Sequence, residues 1–121
     1  MDFNDGSKEI IGIFYEVYNQ LGCGFLEKVY ENALALEFRR NGICFGNQIP
    51  LKVLYKGDLA GEYFADFIVG DLIVEVKAKK SLDAIDEAQL INYLKATGKK
   101  VGLLVNFGGE KLEFRRKVLN L

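Results

Sequence analysis

The chain has 121 residues, 50% of them hydrophobic and 27% charged, with 16 Lys and Arg against 17 Asp and Glu. That suits one domain over residues 1–121 built around one core, and it offers no net positive charge for a phosphate backbone. There is no histidine and there are only two cysteines, which excludes Ser-His-Asp and Cys-His nucleophile schemes, His-ligated metals and a disulfide framework.

Acid–base or metal chemistry therefore falls to carboxylates, Lys, Tyr or Cys. The opening MDFNDGSKEIIG has no basic segment followed by an apolar run, so no secretory signal is expected. No apolar stretch approaches the roughly 20 residues of a membrane span, and the expected location is the cytoplasm. The glycine-dense spots, Gly22-Cys23-Gly24 and Gly108-Gly109, match neither phosphate-loop fingerprint.

Apolar residues at three- and four-residue spacing predict a helix over 5–21, with Ile10, Ile13, Phe14, Val17, Tyr18 and Leu21 facing inward and Asn4 or Asp5 as cap. A second helix is predicted over 26–41, its stripe made by Leu26, Val29, Tyr30, Ala33, Leu34 and Phe38, with Asn41-Gly42 as its stop. Strands follow at 49–55, 60–69 and 72–78, turned at Lys56-Gly57-Asp58 and at Gly70-Asp71. Glycine first in the second turn suits a two-residue type II′ hairpin. A third helix at 83–97 has Ser81 or Asp83 as cap and Gly98 past its end, and strands at 100–107 and 111–116 flank Gly108-Gly109. The order is ααβββαββ. It implies an α+β fold, a mixed, mostly antiparallel sheet with helices on its faces.

The stretch FADFIVGDLIVEVKAKK, residues 64–80, puts charge into the most hydrophobic hairpin of the chain. With Gly70 and Asp71 as turn residues, Val69 pairs with Leu72, Ile68 with Ile73 and Phe67 with Val74; the next rung sets Asp66 opposite Glu75. Directly opposed residues stand about 4.5–5.5 Å apart at Cβ, and like charges there repel. Two carboxylates in a dry site need a shared proton, a cation or a metal ion. Lys77 falls on the face of Glu75, one step further along, while Val74 and Val76 point to the other face. One reading is a salt-bridged acid pair at the sheet margin. The other is a site for Mg²⁺ or Mn²⁺, which take one or two carboxylates plus water and phosphate oxygens, with a lysine to steer water or offset charge.

GFLEKVY, with Gly24, Glu27 and Tyr30, resembles the signature of the GxxExxY protein family, and YFADFIVGDLIVEVKA, AQLINYLKATG and GLLVNFG extend the resemblance over nearly the full length. That family belongs to the PD-(D/E)XK nuclease-like superfamily. The resemblance implies a restriction-endonuclease-like core, metal held by Asp66, Glu75 and the backbone carbonyl of Val76, and Lys77 as water activator or transition-state stabiliser. It adds Glu27 from the N-terminal helices, and Gln89 and Tyr93 from a Q-x-x-x-Y element. Where family members often carry a histidine this chain has Tyr18, and Cys23 stands where they often carry proline.

Read from the residues, Glu27 is a first-turn carboxylate that helix-dipole stabilisation also explains, and Gln89 interrupts an apolar stripe between Ile85 and Tyr93, where it needs partners. Glu31 reads as solvated, Cys23 as a small packed residue, and Asn92 as uninformative. Lys79-Lys80, Lys99-Lys100 and Arg115-Arg116-Lys117 read as solvated surface, with Lys79 and Lys80 placed to meet phosphates. The sequence thus points to a metal-dependent nuclease-like phosphodiester hydrolase with DNA or RNA as partner. The alternative is a non-catalytic module using the acidic pocket for a metal or a partner. A homodimer that covers a sheet edge is compatible with either.

Overall fold

The computed structural model describes residues 5–119. Its elements are α1 (Ser7–Leu21), α2 (Glu27–Arg40), β1 (Gly46–Tyr55), β2 (Asp58–Val69), β3 (Leu72–Lys77), α3 (Ala84–Thr97), β4 (Val101–Asn106) and β5 (Glu113–Val118). The five strands form one sheet in the order β1-β2-β3-β4-β5. β3 and β4 run parallel, and every other neighbouring pair is antiparallel. A parallel pair needs a crossover, and α3 supplies it. The expected mixed, mostly antiparallel α+β architecture is what forms.

The two faces of the sheet bury separate clusters. α1 and α2 cover one with Phe14, Tyr30, Leu34, Phe38, Phe67, Val74, Val76 and Phe107. α3 covers the other with Leu90, Tyr93 and Leu94 against Leu51, Ala65, Ile73 and Leu104. β3 is buried on both sides, so it reads as an almost unbroken apolar run.

Local chemistry sets most of the ends. Asp83 and Asp86 make a reciprocal capping box at α3, and Gly98 closes that helix in the left-handed region, as expected. At α1 the cap position is Gly6, while the Asp5 carboxylate accepts the Ser7 N–H at 2.9 Å. Asn4, the other expected cap, lies outside the described residues. Three expected core positions are exposed: Leu26 is 80% exposed, Ile85 78% and Val29 38%. Leu26 is the residue just before α2, while Val29 and Ile85 lie in the first turns of α2 and α3.

β5 starts at Glu113 rather than Lys111 because the preceding loop does not turn tightly at Gly108-Gly109. It reaches across to the backbone after β3. A Cβ on Gly108 would stand 2.4 Å from the Lys79 nitrogen. Asn106, wholly buried, grips the same residue: its Oδ1 accepts the Lys79 N–H at 2.9 Å and its Nδ2 donates to the Lys79 carbonyl at 2.8 Å. Gly108→Ala is expected to destabilise the fold by about 1–3 kcal/mol through overpacking, seen as a lowered urea midpoint. An unchanged midpoint would show that the Lys79 backbone yields.

Candidate active site

The hairpin register is as expected for three rungs, Val69–Leu72, Ile68–Ile73 and Phe67–Val74, and there the ladder ends. Asp66 and Glu75 do not form a backbone rung. Instead the Asp66 N–H donates to Glu75 Oε1 at 3.0 Å, and the Val76 N–H donates to Asp66 Oδ2 at 2.8 Å. Each acid takes the peptide group that the other strand would have used, and side chains that compete with the ladder in this way part the strands. β1 is irregular at the same level. Asn47 pairs with Phe67 and Ile49 with Ala65, while Gln48 between them adopts φ 53°.

The split gathers the remaining groups. Lys77 Nζ donates to Gln89 Oε1 at 3.1 Å, so α3 fixes the amine that β3 presents. The Lys77 carbonyl accepts the Phe107 N–H on the β4 side. Successive strand residues point their peptide groups to alternate sides, so the Val76 carbonyl faces the β2 side, next to Asp66. Glu27 is exposed at the rim. Desolvation by the surrounding protein pushes its pKa up, the Asp66 charge adds to this, and Lys77 opposes it. Asp66, Glu75, Lys77, Gln89 and Glu27 thus lie within each other's fields or contacts.

Glu75 is 4% exposed. Burial, reinforced by the charge of Asp66, pushes its pKa up to about 9, with Lys77 only partly opposing. The Tyr93 phenol is pushed up to about 12, first by burial and then by Glu75 and Asp66. A carboxylate held this far from ionisation lacks a counter-charge.

Three residues around the site differ from the sequence-based expectation, and one of them, Cys23, is exposed rather than packed. Glu31 is not solvated; it is 4% exposed and its Oε2 accepts from Asn47 Nδ2 and Gln48 Nε2, each at 2.8 Å. One helical turn places it beside Glu27 on the inward face of α2, where the amides of β1 replace water. Lys79 is not free for phosphate. Its Nζ contacts Asp83 at 3.1 Å and Asp86 at 2.9 Å, which ties it to the cap of α3.

The Gly24-x-x-Glu27-x-x-Tyr30 spacing has a structural logic. Gly24 takes φ 111°, open to glycine alone at little strain. Tyr30 Oη donates to the Gly22 carbonyl at 2.6 Å and accepts the Phe25 N–H at 3.2 Å, and its ring stacks on Phe107 at 4.6 Å. The loop is pinned so that Glu27 opens α2 at the rim. Tyr30→Phe is expected to lower stability by about 1 kcal/mol and to speed amide exchange of Phe25 relative to the sheet. Unchanged protection at Phe25 would contradict the clamp. Tyr18, at the position where the family often has histidine, donates its hydroxyl to the Glu110 carbonyl at 2.9 Å.

Among the described residues no group of three or more Asp, Glu, His or Cys side chains is gathered as a ready-made metal cage. The groups that would offer oxygen to an ion at the split are the Asp66 and Glu75 carboxylates and the Val76 carbonyl. Such a sparse, all-oxygen set fits a hard divalent cation that keeps several waters, and Glu75 is short of the positive charge such an ion would bring.

A sheet parted by an acid pair, with a lysine one step along the same strand and helices on both faces, is a restriction-endonuclease-like core. The sequence model of the PD-(D/E)XK nuclease superfamily matches residues 4–117, and the chain belongs to that superfamily. A solved structure titled "Crystal structure of SSO0001" is similar in fold, with TM-score 0.61 and 16% identity over 78% of this chain. The match covers 51% of that protein, so the chain spans about half its length. No curated protein matches. Among the described residues no helix is long and apolar enough to cross a membrane.

Proposed function

We propose that the chain is a GxxExxY-type, Mg²⁺- or Mn²⁺-dependent phosphodiester hydrolase acting on nucleic acid in the cytoplasm. The observation that carries this reading is the acid pair at the strand split, with Lys77 fixed beside it by Gln89. Stability alone gives little reason to bury Glu75 beside the Asp66 carboxylate, whose charge helps push the Glu75 pKa up. Asp66, Glu75 and the Val76 carbonyl would hold the ion. Bound there, it would supply Lewis-acid stabilisation of phosphate charge.

The protein's own groups do the rest. Lys77 Nζ has two further N–H donors beyond the one given to Gln89. They can orient a water or meet a phosphate oxygen as its charge grows in the transition state. Gln89 keeps that amine from collapsing onto the acids. Glu27, at the rim and raised in pKa, suits proton exchange with bulk water.

The runner-up reading is a binding module that keeps the pocket without turnover. The net charge of −1 favours it, as does the pairing of Lys28 with Glu31 and of Lys79 with Asp83 and Asp86. A panel of single- and double-stranded DNA and RNA, incubated with Mg²⁺ or Mn²⁺, separates the two. Cleavage that chelator abolishes and Asp66→Ala lacks is the expected result. No cleavage of any substrate by a protein that binds the ion favours the module.

A further inference from the structure

We propose that Gln48, seated on the buried Glu31, is the positioning residue that aims the Asp66 carboxylate into the split. The proposal rests on the metal-site reading above and assigns a role to a residue pair outside the acid–lysine set. All four polar functions of Asp66 are held. Its N–H goes to Glu75 Oε1 at 3.0 Å, its carbonyl accepts from Asn47 Nδ2 at 2.7 Å, its Oδ2 accepts from the Val76 N–H at 2.8 Å, and its Oδ1 accepts from Gln48 Nε2 at 3.0 Å. With both oxygens tied, the plane of the carboxylate is fixed.

The Gln48 amide is shared. One donor goes to Asp66 Oδ1 and the other to Glu31 Oε2 at 2.8 Å. An amide NH₂ has two hydrogens, so a single side chain bridges two acids that would otherwise repel. Asn47 does the same for the Asp66 backbone, donating to Glu31 Oε2 at 2.8 Å as well. Glu31 thus anchors β1's two amides from α2, the helix that also carries Glu27.

The backbone at Gln48 supplies an independent observation. Its φ of 53° lies in the left-handed region, where residues other than Gly, Asn and Asp are uncommon. Strained positions of this kind persist where the surroundings over-determine them and cluster at functional sites. Glycine would sit at position 48 without strain, so a residue serving only the backbone path of β1 there would be better as glycine. The side chain is what the strain retains.

Gln48→Gly therefore separates the two roles. It relaxes the backbone and deletes the bridge. Three readouts on the full chain decide the matter: the urea midpoint, hydrogen exchange of the Val76 amide in metal-free protein, and a Mn²⁺ titration. The expected result is a midpoint at or above wild type, Val76 exchange faster by at least about tenfold, unchanged exchange at Leu103 and Val105, and Mn²⁺ affinity lower by about 10–100-fold. Unchanged Val76 exchange overturns the proposal whatever Mn²⁺ does. Faster Val76 exchange with unchanged Mn²⁺ affinity overturns it too, since Asp66 would then need no aiming. A wild-type chain that binds no Mn²⁺, with Val76 exchange still accelerated in the variant, upholds Gln48 as the support of Asp66 and removes the metal reading instead.

Discussion

Glu75→Gln is expected to make the metal-free protein more stable at neutral pH, by about 0.5–2 kcal/mol, while abolishing divalent-ion binding and cleavage. Glu75 is buried beside Asp66, and its pKa is pushed from 4.5 up to about 9. In that interval the folded chain holds the proton and the unfolded chain has lost it. The folded state therefore binds more protons, and stability falls as pH rises from the unfolded value toward about 9. The slope approaches 1.4 kcal/mol per pH unit at most, or about that for one proton. A glutamine stays neutral, accepts the Asp66 N–H as Glu75 does, and can donate to the Asp66 carboxylate. Its urea midpoint should lie above wild type at pH 8 and converge with it near pH 4. A variant less stable than wild type at pH 8 would show that Glu75 is ionised and well paired in the metal-free fold.

Lys77→Met is expected to leave ion binding within a few-fold of wild type and to lower kcat by about 10²–10³-fold, the size of losing one preorganised donor to transition-state charge. The aliphatic stem packs as lysine does, so the fold should survive. Gln89 loses its partner in this variant, and Gln89→Ala should produce a smaller fall in kcat, because the amine remains but is less fixed. Equal cleavage by Lys77→Met and wild type would make Lys77 a counter-ion for the acid pair and nothing more.

The fold was legible where local chemistry and period agree. The Asp83 cap, Gly98, the Gly70-Asp71 turn and the three rungs beside it all follow from residue types at fixed offsets. The acid pair and Lys77 were legible because charge interrupts an apolar hairpin. The missing rung was not, because register rules assume an intact ladder, and only the tertiary structure shows each carboxylate replacing a peptide partner. Glu31 was misread since helical period gives only the azimuth of a residue, and its burial depends on two amides 16 and 17 residues away. The adjacent polar pair Asn47-Gln48 in a strand was the available signal. Asn106 was missed for a similar reason: its partner is a loop backbone, and side-chain grips on backbone leave no sequence pattern of their own.

The test closest to the central claim is a calorimetric Mn²⁺ titration of the wild-type chain and of Asp66→Ala. Asp66 touches both the Glu75 strand and the β1 amides, and its loss should empty the split without removing core volume. Saturable Mn²⁺ binding to the wild-type chain that disappears in Asp66→Ala is the predicted result. Equal binding by both, or none by either, would contradict a divalent-ion site at the parted strands.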